Sequence, residues 1–547
     1  MRRTLLITFI ACIAFSTNIG SQCTSCPPLA DRTEVIITDN GNGTGTTTWT
    51  CDNVYKLDGY VFVNPDQILT IEAGTIIKGL SGSGADAAAL IVTKGAQIMA
   101  DGSADCPIIF THDADPLDGS IAYDTRGQWG GLIVLGAAST NLGSGVGQVE
   151  GVPSDNALSE YGGSNDMDNS GVLRYVSIRH GGTQLAAANE INGLTLAGVG
   201  SMTTLEHIEV VSNADDGIEF FGGTVDLKWA ATAFCGDDSF DYDQGWRGRG
   251  QFWFILQDQP GEIGDRGGEF DGDDAPNVTA NFQPYATPIL YNVTNIGYGL
   301  DAGKIGFLYR NGAGGDLHNS IIANYNEGIE VEDADAFDAY DNYLAGRLNI
   351  ENNCFWAVNN LVDYDGSDVA NGDEDLDAEF AALGNEITDP GIDYLYDVDM
   401  TGVFVIDVID PVPSNVVSVD TEDLPIDAWF DAAAYKGAFD PVAGNWLTGW
   451  SFIDRRGFFP QPIIAVEEQD KTLGVNVFPN PANEMLNLRA DKKIDQISVF
   501  NTLGEDVLSR SVNAKRTNID VTALPAGIYI VKVESGTTVS STRFIKR

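Results

Sequence analysis

Residues 215–220 read Asp-Asp-Gly-Ile-Glu-Phe, and residues 237–242 repeat the pattern as Asp-Asp-Ser-Phe-Asp-Tyr. Position 237 follows position 215 by 22 residues, and the preceding segments keep this offset, since Leu205 corresponds to Leu227. A third copy lies at Asn326–Val331. Repetition at a fixed step is typical of a solenoid, in which each turn of the chain buries its apolar face on its neighbours. Three short strands and three bends fit within one such repeat.

The surrounding chain supports an all-β fold. From about residue 53 to residue 324, short apolar or β-branched segments alternate with Gly, Asn and Asp, as in Leu69–Ile77, Gly131–Leu135 and Leu173–Ile178. These breakers recur too often for a helical period to persist. A jelly roll or sandwich is the alternative, but it does not require equivalent positions at a constant step. We therefore predict a right-handed parallel β-helix.

Three segments of the body resemble a family of exported bacterial β-helix proteins, most of which have no assigned activity. They are Leu69–Gly79, Arg126–Gly136 and Ser239–Gly248. The resemblance implies the fold and an extracellular location. It supplies no catalytic residues.

The last stretch carries a second resemblance. It contains Phe478-Pro479-Asn480-Pro481, then Leu524-Pro525-Ala526-Gly527-Ile528-Tyr529, and it ends on Phe544-Ile545-Lys546-Arg547. This series resembles the C-terminal sorting domain of type IX secretion cargo. The resemblance implies a small Ig-like β-sandwich, recognition by the type IX secretion machinery, and either release or attachment to surface lipopolysaccharide.

The expected order of segments begins with a signal peptide at 1–21, because Arg2-Arg3 precedes a short apolar stretch. An N-terminal cap at 22–56, the β-helix at 57–360, and terminal coils with a cap at 361–465 follow. A linker at 466–474 leads to the sorting domain at 475–547. Six cysteines lie outside the signal, which predicts disulfides, and four of them precede residue 107, so that they could staple the cap.

The charge of the chain is strongly negative. It has 79 acidic and 30 basic residues, a net charge of −49. A surface of this sign repels nucleic acid and anionic lipid and attracts divalent cations. No segment after the signal is long and apolar enough to predict a transmembrane helix.

The repeat predicts that acidic side chains of successive coils stack. Adjacent coils of a β-helix are about 4.8 Å apart, and carboxylates this close repel one another unless a cation lies between them. Ca²⁺ is bound by carboxylate, carbonyl and water oxygens. The predicted ligands are Asp215, Asp216, Glu219, Asp237, Asp238, Asp241 and Asp243, with Glu269 and Asp271 as extensions of the acidic face. The alternative is that these residues are ordinary turn formers.

A second cluster follows directly, with Trp246, Arg247, Arg249 and Trp253. Trp246 and Trp253 are candidates for stacking on a sugar ring. Arg247 and Arg249, with His180 as a further candidate, are the residues that a lyase could use as a base. The alternative interpretation has both arginines neutralising Asp237–Asp243, with Trp253 and Phe254 in the core.

Two functions remain open from the sequence. The first is a non-enzymatic secreted or surface protein, stabilised by calcium, with a role in adhesion, matrix building or binding of extracellular polysaccharide. The second is a lyase or hydrolase that acts on acidic glycans. The first is favoured because no acid–base set is compelling.

Overall fold

In the computed structural model, the described residues are 23–153, 156–184, 191–257, 264–272, 283–299, 304–333, 337–363, 380–398, 404–415, 419, 424–460, 475–501, 506–536 and 538–547. The predicted signal peptide and the predicted linker lie outside them. The chain divides into two compact units, Met1–Gln461 and Pro462–Arg547. No helix among the described residues has the length and apolar character needed to span a membrane.

Strands are the main regular elements of the first unit, and two short α-helices lie wholly within its described residues, α1 (Ala339–Leu344) and α2 (Phe452–Arg455). Its strands are β1 (Thr33–Thr38), β2 (Thr47–Trp49), β3 (Asn53–Asp58), β4 (Tyr60–Val63), β5 (Ile68–Ile71), β6 (Ile76–Gly79), β7 (Ala89–Val92), β8 (Gln97–Asp101), β9 (Ile108–His112), β10 (Leu132–Leu135), β11 (Val146–Gln148), β12 (Glu160–Gly162), β13 (Gly171–Arg179), β14 (Leu194–Ala197), β15 (Thr204–Val211), β16 (Ile218–Phe221), β17 (Asp226–Ala233), β18 (Phe240–Asp243), β19 (Arg249–Leu256), β20 (Gly268–Asp271), β21 (Ile289–Ile296), β22 (Ile305–Arg310), β23 (Gly315–His318), β24 (Ile321–Val331), β25 (Leu348–Glu351), β26 (Cys354–Asp363), β27 (Glu386–Ile387), β28 (Asp393–Val398) and β29 (Phe404–Asp410).

Twenty-five of these strands form one parallel sheet that winds into a β-helix, as predicted. In its central part each strand pairs with the next but one, so that β14, β16, β18 and β20 form one face. The longer strands β13, β15, β17, β19 and β21 each bend at one residue with a left-handed backbone, and their two halves form the other faces. The parallel pairing begins with β1 and extends to β27, so it also includes part of the predicted cap.

The bend residues of β13, β15, β17 and β19 form a column of rings on the outside of the coils. Tyr175 stacks on His207 with 4.2 Å between ring centroids, and His207 stacks on Trp229 at 4.7 Å. Trp446 and Trp450 approach His207 edge-on. The segment 424–460, which the sequence placed in the terminal cap, therefore packs along the flank of the helix and covers this column. His207 has a structural role.

Two disulfides fasten the N-terminal coils. Cys23 pairs with Cys106, and Cys26 pairs with Cys51. Cys235 and Cys354 are buried thiols. The expectation that the N-terminal region is stapled is therefore confirmed.

The second unit is an antiparallel five-stranded sheet, which confirms the predicted all-β C-terminal domain. Its strands are β30 (Val475–Phe478), β31 (Met485–Phe500), β32 (Asp506–Asp520), β33 (Gly527–Ser535) and β34 (Thr538–Lys546). The long β31 pairs with β30, β32 and β33, so the strands are joined in one continuous hydrogen-bonded sheet. Its core includes Leu488, Ile497, Val531 and Phe544.

Candidate metal centre

The acidic repeat lies on the face formed by β16, β18 and β20. Glu219 is the register partner of Asp241, and Asp241 is the partner of Glu269. Alternate residues of these strands point into the coil, since neighbouring side chains of a strand lie on opposite faces. The third repeat copy joins the same column, because Glu330 aligns with Leu308, which aligns with Glu269. The predicted stacking of acids is therefore present.

The carboxylates of Asp216 and Asp238 lie at the bends before β16 and β18, and each accepts a hydrogen bond from the next coil. The backbone N–H of Asp238 donates to Asp216 Oδ1 at 2.9 Å across a separation of 22 residues. In the next coil the N–H of Arg266 donates to Asp238 Oδ1 at 2.6 Å. These residues are thus turn formers, as the alternative interpretation held, but they bond the backbone of the next coil. Each keeps a second carboxylate oxygen for another partner.

The carboxylates form three compact groups in which one oxygen of each residue lies within 4.8 Å of the others. The groups are Asp215, Asp216 and Asp237; Asp216, Glu219 and Asp241; and Asp237, Asp238 and Asp265. Six of the seven predicted metal ligands are among them. The remaining one, Asp243, is at the end of β18 and is buried.

Burial and mutual repulsion change the protonation of these acids. Burial, followed by the charge of neighbouring carboxylates, raises the pKa of Asp216, Glu219 and Asp241 well above the ordinary range. The pKa of Asp238 is raised for the same reasons. Without a cation, the cluster therefore retains protons that exposed carboxylates would lose.

In the described part of the chain, the close ion pairs to the acidic column lie at its later end. Arg266 Nη1 lies 2.6 Å from Glu269 Oε1, and Arg310 contacts both Glu269 at 2.5 Å and Asp271 at 2.9 Å. Lys304 Nζ lies 2.7 Å from Asp265. These three residues come from the coils that follow the repeat.

The earlier end has no such partner. Among the described residues, no lysine or arginine forms an ion pair with Asp216, Glu219 or Asp241. The buried Asn192 donates to Glu219 and, at 3.1 Å, to Glu150, while its own Oδ1 has no hydrogen-bond partner in the described part of the chain. Asp241 Oδ1 is likewise buried and without a hydrogen bond there. Several oxygens and no counter-charge are the donor set that a hard divalent cation requires.

Sequence comparison identifies the family of this fold. The family model described as a pectate-lyase-like β-helix domain matches residues 41–390. The chain belongs to this family. The secretion-system C-terminal sorting domain matches residues 476–547, which indicates export to the cell surface or the extracellular space. No curated protein matches the chain.

Solved structures resemble this β-helix protein only weakly. The enzymatically active domain of tailspike protein 2 from bacteriophage CBA120 is 9% identical and has a TM-score of 0.20, with 90% of this chain and 66% of that chain covered. The full-length tailspike protein 2 of an Escherichia coli O157:H7 bacteriophage is 8% identical with the same TM-score, and 90% and 59% are covered. The chain thus spans less than two thirds of either.

Trp246 and Trp253 lie in the core, so the structure contradicts their proposed role in sugar stacking. Trp246 has no exposed surface and stacks on Phe220 with 4.0 Å between centroids. Trp253 is 1% exposed and stacks on Phe240 at 4.2 Å. Both indole N–H groups donate to backbone carbonyls, those of Val225 and Leu227. Neither ring presents a face to solvent.

Arg247 and Arg249 belong to separate ion pairs and do not neutralise Asp237–Asp243. Arg247 Nη2 contacts Asp166 Oδ2 at 2.7 Å, and Arg249 binds Asp226 at 2.6 Å and Asp427 at 2.7 Å. The bonds to Asp226 raise the pKa of Arg249, so this arginine holds its proton more tightly than usual. That is the opposite of what a general base needs.

His180 lies inside the protein. It has no exposed surface, and its Nδ1 lies 2.7 Å from the carbonyl oxygen of Thr125. Burial lowers its pKa to about 4, so the ring is neutral at physiological pH. A substrate cannot reach it in this structure.

The sequence did not indicate Arg266 and Arg310, which form the ion pairs with Glu269 and Asp271 in the acidic column. Arg266 occupies the coil position of Asp216 and Asp238, but it follows Asp238 by 28 residues rather than 22. Residues 266–271 read Arg-Gly-Gly-Glu-Phe-Asp, so they form a further copy of the repeat motif, and that copy could have revealed the position of Arg266. The coil between Asp238 and Arg266 is longer than 22 residues, so the constant step of the repeat does not reach Arg266.

Proposed function

We propose that this protein is an exported glycan-binding or matrix protein whose β-helix is stabilised by calcium. One observation carries the proposal: Asp216, Glu219 and Asp241 offer oxygens within 4.8 Å of one another and have no basic partner among the described residues. Ca²⁺ there would remove the repulsion between coils and stiffen the face that carries the acids. The sorting domain delivers the protein to the surface or beyond, where millimolar calcium is common.

The glycan-binding role is tested with immobilised acidic and neutral polysaccharides. We expect retention on an acidic polymer such as polygalacturonate, without formation of unsaturated products. Neutral polymers of similar size are the control. Retention on neither polymer contradicts the glycan-binding role, and equal retention on both contradicts a preference for acidic glycans.

A lyase acting on acidic glycans is the second candidate, and the description of the matching family favours it. It predicts a calcium-dependent rise in the ultraviolet absorbance of unsaturated uronate products. A rise that disappears in Asp241→Asn would establish the enzyme and reject the non-enzymatic role. The variants Arg247→Ala and Arg249→Ala separate a catalytic arginine from the ion pairs described above, since a purely structural pair leaves turnover unchanged.

A further inference from the structure

A second polar site lies away from the acidic column. A cavity of about 370 Å³ opens between the loop after β9 and the turn after α2. Its walls include Arg179, Arg455 and Arg456, together with the ring of Phe452. Three guanidinium groups around one cavity are notable in a chain with a net charge of −49.

Arg179 lines this cavity and has a hydrogen-bond donor without a partner in the described part of the chain. Its side chain, at the end of β13, is 5% exposed, and its Nε donates to Ser177 Oγ at 2.8 Å. Its Nη2 is buried and has no hydrogen-bond partner among the described residues, and the same is true of Arg455 Nε. A buried donor without an acceptor is costly, so a small shift of the guanidinium group that brings this donor to a ligand's oxygen would be favoured.

The neighbouring carboxylates are already engaged. Asp115 accepts hydrogen bonds from Thr111 Oγ1 and from the backbone N–H of Leu117, both at 2.8 Å. Glu209 accepts from Ser177 Oγ at 2.6 Å and from two backbone N–H groups at the start of α2. Asp118 also lines the cavity, so the three guanidinium groups have three neighbouring carboxylates, of which Asp115 and Glu209 already accept hydrogen bonds.

The ring of Phe452 contacts Arg179 and Arg456 and forms an apolar part of the cavity wall. Arg179 Cζ lies 5.1 Å and Arg456 Cζ 5.6 Å from the centroid of this ring. Burial lowers the pKa of Arg179 to about 10, so the guanidinium remains charged at neutral pH. A planar cation beside an aromatic wall suits a ligand with one oxyanion and one flat apolar surface.

We propose that this cavity binds a sugar unit that carries an oxyanion, either a carboxylate or a sulfate ester, with the oxyanion on Arg179, Arg455 and Arg456. The volume lies within the range of small-ligand pockets. The inference rests on the proposed glycan-binding role, and it assigns that role to a site distinct from the acidic column.

The test is calorimetric titration of the secreted full chain with galacturonate and galactose 6-sulfate, compared with galactose, acetate and inorganic sulfate. We expect at least one of the anionic sugars to bind about tenfold more tightly than all three comparison compounds, since charge-assisted bonds to arginine exceed neutral ones. Equal affinity for acetate or sulfate, or for galactose, overturns the proposal.

The variants Arg455→Gln and Arg456→Gln test the location, because both side chains are only partly buried and one can fold if the other does not. Each is expected to weaken binding about tenfold. Arg174→Gln is the matched control: it lies on β13 too, but pairs with Asp101 and Glu206. If the protein binds acidic polymers and neither variant weakens binding, the cavity assignment fails while the proposed function stands. If anionic sugars bind in the cavity but no polymer is retained, the cavity assignment stands and the proposed glycan-binding function fails.

Discussion

Strands β16, β18 and β20 have an inner and an outer face, and different interactions stabilise the two faces. On the inner face, aromatic rings stack from coil to coil, and Tyr242 lies 4.4 Å from Phe270 between centroids. On the outer face, the adjacent residues Glu219, Asp241 and Glu269 repeat a negative charge at the same spacing. Repeating the same residue type in each coil stabilises the inner column, because stacked rings attract one another. It destabilises the outer column, because like charges repel.

The outer column also differs along its length. Its later end is balanced by Arg266 and Arg310, and its earlier end has no ion pair to Asp216, Glu219 or Asp241 in the described residues. At the later end the chain itself supplies the counter-charge, and at the earlier end we propose that calcium supplies it.

The largest expected effect concerns the inner column. Trp246→Ala should lower the free energy of unfolding by about 3–5 kcal/mol, because it leaves a cavity in the core. Urea denaturation followed by circular dichroism measures this loss. An exposed substitution such as Met167→Ala serves as the control. A small loss of stability combined with a large loss of glycan affinity would show that the two faces have been assigned wrongly.

The balanced end of the outer column comes next. Arg310→Gln leaves Asp271 without its ion pair and Glu269 with Arg266 alone, and these carboxylates are largely buried. Because the arginine itself is partly exposed, we expect a loss of about 2 kcal/mol, between the values typical of surface and buried pairs. Arg174→Gln, in a more exposed ion pair, should cost less than about 1 kcal/mol in the same denaturation experiment. Equal costs would mean that counter-charge matters no more on this face than elsewhere.

The unbalanced end should respond in the opposite direction. In the presence of chelator, Asp241→Asn should raise the free energy of unfolding by about 1 kcal/mol, because the amide needs neither the proton nor the counter-charge that the buried carboxyl group requires at neutral pH. Asp105→Asn, at an exposed position, should change nothing. Thermal melting in chelator measures both. Destabilisation by Asp241→Asn would indicate that the carboxylate is required for the metal-free fold.

The pH dependence is a smaller effect. The raised pKa values of Asp216, Glu219 and Asp241 mean that the folded protein binds protons more tightly than the unfolded chain. Their contribution to stability is therefore lost as pH rises from the ordinary carboxylate range through the folded pKa values. Since calcium replaces those protons, the difference in melting temperature between calcium and chelator should widen from about pH 5 to about pH 7.5. If the difference in melting temperature is constant with pH, calcium does not bind at these three carboxyl groups.

The sequence predicted the fold and the acidic column because both follow from the repeat. One step of 22 residues places Glu219 beside Asp241, and Glu269 was expected to extend the face. It could not predict the partners of the arginines, since Arg247 reaches Asp166 through a loop contact with no periodic signal. Trp246 was misplaced because a turn, closed by its N–H on the carbonyl of Asp243, directs the ring inward.

The arginine cavity had no signal in the sequence. Arg179 and Arg456 are far apart in the chain and meet only because segment 424–460 folds back along the flank. Contacts of this kind depend on tertiary packing rather than on local pattern.

The most direct measurement is the melting temperature of the secreted protein in millimolar calcium and in chelator, at neutral pH, with magnesium as the control. A cation that binds only the folded state raises stability by about 2.7 kcal/mol at one hundred times its dissociation constant. We predict that calcium raises the midpoint by several degrees in the wild type and has no such effect in Asp241→Asn. An unchanged midpoint in the wild type would contradict calcium at Asp216, Glu219 and Asp241.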